Sequence, residues 1–359
     1  MSWVGLWSAG HGAYSPAGLG RRSTRVVDLN GTLPRGSLLL QFSVDVTAGH
    51  QVVLDHAATA PERSALRIAV SPDGLLTLSR QYGSDRQTWT VATGQSGRIR
   101  DVTLILTWDA PARRARLAVE IADTGCQVIR SSRVVLPFAL RDGVRLIADP
   151  RSRRLHPSVA FLAVADHVMP LGPLPALAAT TPVPTPEGLQ PLAQMRPGQL
   201  VTLADGSAAQ LRWVGSADLP ARGRFAPLRL KAPYYRATRD LVGSADQRIH
   251  LRGSEVDYLF ATPAVACAIG DLSDGVTPVI PPPRDTYRYW GFLLDRPGTL
   301  RIGGLDVEGL DVDRLRRDPA LRSASVLADL PDELLPQAEA DVPVLRGFET
   351  RTLCALRVA

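Results

Sequence analysis

Turn-forming clusters interrupt the chain about every ten residues between Pro72 and Gly97, a spacing that leaves no room for long helices and favours short strands. Pro72-Asp73-Gly74, Tyr82-Gly83-Ser84-Asp85 and Thr93-Gly94-Gln95-Ser96-Gly97 supply residues that tolerate tight turns, and they separate apolar runs such as Ala65–Val70 and Gln87–Val91. Upstream, residues 37–46 move into two-residue alternation, with Leu40, Phe42, Val44 and Val46 on one face of a strand. The strongest pair is Val102–Asp109 and Arg116–Ile121, joined by a turn through Ala110-Pro111-Ala112. Repetition of this kind from Gly36 to Pro170 predicts an antiparallel β-sandwich.

Within that region Thr103–Asp109, the turn and Ala115–Ile121 resemble the central hairpin of concanavalin A-like, laminin-G-type jelly rolls. Glu120-Ile121-Ala122-Asp123 also resembles the start of the carboxylate strand of jelly-roll glycosidases, which need two carboxylates flanking the scissile bond. Position 125 is Gly where the third acid would stand, so the expected reading is a solvent-facing Glu120 and a turn Asp123. His11, His50, His56, His156 and His167 form no sequence-near pair of metal ligands, and Cys126, Cys267 and Cys354 lack metal-ligand spacing. The cysteines are expected to be small buried hydrophobes. No metal or other cofactor is implied.

At 359 residues the chain is long enough for two domains. Pro170, Pro173 and Pro175 cannot sustain a helix or a central strand, which places a junction over residues 171–180 between a domain at 1–170 and another at 181–359. A second proline cluster, Val276–Asp285, is expected to form an extended surface loop.

The formal net charge of +6 does not by itself point to nucleic acid. Lys231 is the only lysine, and residues 1–172 carry 20 Arg against 13 acids while the rest carries 21 basic against 22 acidic residues. The excess is diffuse. Its tight groups, Arg113, Arg114 and Arg116, then Arg151, Arg153 and Arg154, have no interleaved aromatics, so solvated loop positions are expected and nucleic-acid binding is not. No apolar stretch reaches the roughly 20 residues of a membrane helix, so no membrane insertion is expected. The N-terminus has no Lys or Arg before Arg21 and no long apolar centre, which argues against a Sec signal. A soluble protein, cytoplasmic or exported by a signal-independent route, is the expectation.

The second half carries more specific text. Thr185-Pro186-Glu187-Gly188 reverses the chain, Leu192 and Met195 supply an i,i+3 apolar contact, Pro197-Gly198 ends that turn, and Asp205-Gly206 closes a hairpin into Ala209–Val214. This segment resembles the opening of bacterial Hint domains, the self-processing fold shared by Hedgehog proteins and inteins. Further segments fit in order: Leu211–Gly215, Arg239–Ile249, Glu255–Phe260, Tyr287–Arg296 and Pro343–Arg351. The resemblance implies an all-β chain, a jelly-roll sandwich followed by a Hint-type β domain.

In active members of that family a cysteine upstream of the Thr-Pro-x-Gly turn attacks the preceding carbonyl, as a thiolate can near neutral pH. The resemblance maps that cysteine to Ala176. A histidine that assists departure of the amide maps to Gln247 in Ser244-Ala245-Asp246-Gln247, and a further histidine near the final strand maps to Gly291 or Trp290. Glutamine can hydrogen-bond but cannot exchange a proton near neutral pH. Thr180 and Thr181 offer weak hydroxyl nucleophiles, Asp246 a carboxylate beside Gln247, and His250 an imidazole that an odd strand offset turns to the opposite face.

Asp318, with Pro319 at the first helical position and Leu321, Val326, Leu327 and Leu330 as a rough apolar stripe, predicts one short helix ending at Pro331. The resulting expectation is a catalytically silent Hint-fold module that binds or scaffolds, with a protein or glycan as ligand. The alternatives are a working autoprocessing domain and a carbohydrate-binding or glycan-cleaving sandwich.

Overall fold

The computed structural model describes residues 2–19, 29–45, 48–60, 62–93, 99–122, 126–279, 285–336 and 342–358. These form two compact units, Met1–Met169 and Pro170–Ala359, each with its own apolar core.

The first unit is a two-sheet antiparallel sandwich of the jelly-roll type. One sheet has seven strands in the order Cys126–Ser132, Arg114–Ile121, Ile99–Asp109, Arg35–Asp45, Val159–Ala165, Trp3–Ser8 and His11–Tyr14. The predicted hairpin forms, with Leu104 opposite Val119 and Leu106 opposite Leu117. Arg35–Asp45 pairs with Ile99–Asp109 along its whole length, Arg35 opposite Asp109 and Asp45 opposite Ile99. The second sheet runs Arg153–Leu155, Gln51–Ala58, Ser64–Val70, Leu75–Tyr82 and Asp85–Ala92. Strict alternation in the last of these turns Gln87, Trp89 and Val91 inward while their neighbours stay exposed. Between the sheets lie Leu38, Leu40, Phe42, Leu78 and Trp108, all essentially without solvent contact.

Three features of this unit depart from expectation. Its first strands, Trp3–Ser8 and His11–Tyr14, precede the region where alternation is legible. A helix, Leu140–Ile147, packs Leu146 and Ile147 into the core. Arg153, expected in a solvated loop, is buried; its guanidinium lies 5.2 Å from the Trp7 ring centroid and donates to the Leu146 carbonyl. A cation accepts burial there because an aromatic face and a carbonyl replace its water. Glu120 lies on Arg114–Ile121, whereas Asp123 and Gly125 fall outside the described residues.

The second unit is assembled from small antiparallel sheets. Ala208–Pro220, its longest strand, pairs with Leu200–Thr202 and with Thr286–Leu294, the latter from Leu211 opposite Leu294 to Pro220 opposite Thr286. A second sheet orders Leu241–Gly243, Leu228–Leu230 and Val276–Pro278, and a third orders Val265–Ala268, Arg248–Leu251, Leu305–Glu308 and Thr299–Ile302. The Thr185–Gly188 turn closes the hairpin Pro182–Thr185 and Gly188–Pro191, and both Leu192 and Met195 are buried beneath it. Asp318 caps as expected, accepting from the Ala320 and Leu321 amides, but the helix is only Pro319–Arg322. Leu321 and Leu327 reach the interior through successive turns instead of one stripe. The longer terminal helix is Gly347–Val358, which buries Leu353 and Cys354.

Candidate functional site

Ala176, Gln247 and Gly291, the positions to which the sequence resemblance maps the processing residues, lie near one another although they are in separate parts of the sequence. Ala176, Leu177 and Ala178 run between two strands. Leu177 bridges Gly243 on one side and Trp290 on the other. The Ala176 and Leu177 amides donate to the Trp290 carbonyl at 3.2 and 2.9 Å, and the Ala178 amide donates to the Val242 carbonyl at 3.0 Å. In the reverse direction the Ser244 amide donates to the Ala176 carbonyl at 2.8 Å. This segment, placed in a proline-rich junction by sequence alone, is therefore held in extended form on both edges.

Two glycines allow the close approach. A Cβ on Gly243 would fall 2.7 Å from the Ala176 carbonyl oxygen and 3.3 Å from the Gln247 Cβ, and one on Gly291 would fall 3.1 Å from the Pro175 Cα. Gly243 thus packs against both the Ala176 carbonyl and the Gln247 side chain, and Gly291 packs against Pro175. Ala176 and Gln247 are both buried. The Gln247 side-chain amide donates to the Arg248 carbonyl at 2.8 Å and to the Glu308 carbonyl at 2.9 Å. Because both neighbours are carbonyls, the amide orientation follows from chemistry: only NH₂ can face two acceptors.

The weaker candidates lie elsewhere in the unit. Thr180 is exposed in a turn, and Thr181 is buried with its amide donating to the Ala178 carbonyl at 3.1 Å. Asp246 is held by Arg224, whose Nε and terminal nitrogen donate to its two carboxylate oxygens at 3.1 and 2.8 Å. His250, on Arg248–Leu251, faces the Glu308 side chain, with Nε2 3.6 Å from the carboxylate. Trp290, half-buried, contributes its backbone.

The same neighbourhood contains a buried polar group that sequence reading passed over. Glu308, at the end of Leu305–Glu308, is buried and lies 3.5 Å from an Arg248 guanidinium nitrogen, which also reaches Asp311 at 3.0 Å. Burial pushes Arg248 down, but the charges of Glu308 and Asp311 outweigh it and hold the guanidinium above its ordinary value. An acid in a four-residue strand gives no signal of burial, since the pairing that buries it lies about sixty residues away. Among the described residues no group of three His, Cys, Asp or Glu side chains gathers to hold a metal ion, and no helix is long and apolar enough to cross a membrane.

Residues 175–313 match the family described as Hint domain. The chain carries a Hint domain. The match begins at Pro175 and takes in Gln247, which directly precedes the strand Arg248–Leu251, and Gly291 on Thr286–Leu294. No curated protein matches the chain. Among solved structures the chain is similar to the CBM40 of Ruminococcus gnavus IT-sialidase bound to α2,3-sialyllactose, at 12% identity over 38% of this chain and 77% of that one, with a TM-score of 0.27. It is similar too to a heptameric SAP-like pentraxin of Limulus polyphemus, at 12% identity over 37% and 52% of the chains, TM-score 0.20. A third is basic winged bean lectin with Tn-antigen, at 10% identity over 37% and 61%, TM-score 0.19.

Proposed function

We propose that the Hint domain is retained as a folded binding or scaffolding module and does not process itself. The observation that carries this reading is the state of Gln247. Both hydrogens of its amide are engaged by backbone carbonyls, so the side chain braces two strands instead of addressing the Pro175-Ala176 peptide. The rest of the site supports the same reading. Ala176 offers a methyl group where the chemistry needs a thiolate, and Gly291 offers no side chain at all.

A site that keeps its geometry while lacking nucleophile and proton donor is expected to hold its backbone intact. Each role is worth several powers of ten in rate, with general acid catalysis alone contributing roughly 10²–10⁴. Fold alone would not distinguish a silent domain from an active one.

The test is the intact mass of the full chain, purified and incubated at neutral pH with and without dithiothreitol or hydroxylamine. A single mass equal to the encoded chain is expected under both conditions. Fragments that meet near residues 175–181 and grow with added nucleophile would show a working processing domain and sink the proposal. The sandwich is the second surface of such a module, and a carbohydrate array with the full chain reads whether it takes glycans.

A further inference from the structure

A cavity of about 220 Å³ opens in the Hint-containing unit beside the third sheet, and its lining includes two buried polar atoms without a hydrogen-bond partner among the described residues. The His250 side chain is 6% exposed and that of Glu308 is 7% exposed, and both line this cavity. His250 Nε2 and Glu308 Oε2 face each other at 3.6 Å, an ion-pair distance beyond hydrogen-bond reach, and neither atom has a hydrogen-bond partner among the described residues. Buried polar atoms left in this state are costly, so their persistence side by side on a cavity wall points to an occupant.

The cavity is lined by charges of both signs. Arg248, Glu308 and Asp311 form one connected cluster, one cation against two carboxylates, and Glu308 keeps Oε2 free of Arg248. An added positive group with hydrogens to donate would complete that cluster. Arg314 and Arg317 lie on the same cavity. Arg317 is 80% exposed and only loosely paired with Asp313 at 3.9 Å, while Arg314 has no side-chain partner among the described residues. Apolar wall is supplied by Leu293, Leu294, Leu310 and Val312.

We propose that this cavity binds a small zwitterion of the α-amino-acid class with an apolar side chain. Its ammonium group donates to Glu308 Oε2 and lies beside the His250 imidazole. Its carboxylate meets the Arg314 guanidinium, which can take it bidentately, and its side chain rests on the leucines. A ligand of single charge would leave part of the lining uncompensated, because that lining carries both signs: Arg248, Arg296, Arg314 and Arg317 with Glu308, Asp311 and Asp313. The cavity adjoins Gln247 through Arg248 and Glu308, yet the inference does not depend on whether the Hint domain processes itself.

Titration calorimetry of the full chain tests this directly, using L-leucine, L-isoleucine and L-methionine, with isoamylamine and 4-methylpentanoate as ligands lacking one charged group. At least one amino acid should bind with a dissociation constant below about 10 mM, and both single-charge analogues should bind at least about tenfold more weakly. Arg314→Gln, at a half-exposed position that leaves the buried cluster intact, should weaken the amino acid about tenfold without lowering the melting temperature, and Glu308→Gln should do the same to the ammonium contact. If none of the three amino acids binds, the proposal fails. It fails equally if 4-methylpentanoate binds as tightly as leucine, or if Arg314→Gln melts as the wild type does and leaves the affinity unchanged.

Discussion

The side-chain amide of Gln247 donates to the backbone carbonyl of Glu308 at 2.9 Å, joining the end of one strand to the start of another across sixty residues of sequence. A histidine at position 247 could place one N–H on one acceptor only. The residue that would restore a proton donor to the Pro175-Ala176 peptide is therefore also the residue whose amide now braces the sheet.

That relationship sets the expectation for restoring activity. Ala176→Cys alone returns a thiol with no group to protonate the departing amide, so the single variant should remain intact over hours with dithiothreitol. Ala176→Cys with Gln247→His supplies both roles, and cleavage should rise by roughly 10²-fold or more over the single variant. It should also melt earlier, because one buried carbonyl loses its donor at a cost of about 1–2 kcal/mol. Mass spectrometry and thermal denaturation read the two effects. Cleavage by Ala176→Cys alone at the rate of the double variant would mean that another group protonates the amide.

The two cores share no residue, one ending at Val164 and the other beginning at Leu177, which leads us to propose that each unit folds alone. Fragments 1–169 and 170–359, expressed separately, should each show β-rich circular dichroism and one cooperative thermal transition. Aggregation of both, with folding restored only on co-expression, would refute independence.

Gly36 faces Trp108 across the central strand pair, and a Cβ there would fall 2.3 Å from the indole and 2.7 Å from the Ala165 carbonyl oxygen. The indole has nowhere to go: Trp108 is fully buried, stacked on Phe138 at 4.9 Å, and donates from its ring nitrogen to the Leu33 carbonyl at 2.9 Å. Gly36→Ala should therefore cost about 3 kcal/mol, the upper range for overpacking a core. Gly10→Ala is a fair comparison for backbone strain alone, since no atom lies within 4 Å of its Cβ position although its φ is +81°. Thermal melts in which Gly36→Ala is as stable as the wild type would show that the strand pair yields easily.

Much of this architecture was legible where the physics is local. Alternation in residues 37–46 and the hairpin of Val102 and Ile121 fix which side chains turn inward, and of the four residues expected on one face Leu40, Phe42 and Val44 are in the core while Val46 lies outside the described residues. Turn chemistry at Thr185–Gly188 and the Asp318 cap were equally readable. What sequence did not convey is non-local. Arg153 and Arg80 are buried because Trp7 and Trp108, far away in the chain, offer them ring faces. The stripe at Leu321–Leu330 has helical spacing, yet Ser323 and Ser325 turn their hydroxyls onto backbone carbonyls and the chain leaves the helix after Arg322. In the site, motif spacing points to Ala176 and Gln247, and only the fold reveals that the Gln247 amide is occupied and that His250 looks onto Glu308.

Asp142 gives the sandwich a defined dependence on pH. It lies in the first turn of the helix Leu140–Ile147, is 7% exposed, and stands 3.4 Å from His56 Nε2 and 3.5 Å from an Arg145 guanidinium nitrogen. His56 is held in turn through Nδ1, 2.8 Å from the Ser152 carbonyl. Arg80 feels the same carboxylate: burial pushes its guanidinium down to about 10, and the charge of Asp142 opposes that fall. Burial also pushes the Asp142 carboxyl up, but the hydrogen bond from His56 and the positive charge of Arg145 outweigh it and hold the group below its ordinary value. A carboxyl depressed in the folded state stabilises that state fully above its unfolded value of about 4, and the contribution is lost as pH falls through the lower folded value. Asp142→Asn removes this charge and leaves Arg80 buried without it, so the variant should be about 3 kcal/mol less stable at pH 7. Thermal unfolding measured from pH 7 down to about pH 3 should show wild type and variant converging below about pH 4. A gap that stays constant over that range would mean that Asp142 acts through its shape and hydrogen bonds and that its charge contributes nothing to the fold.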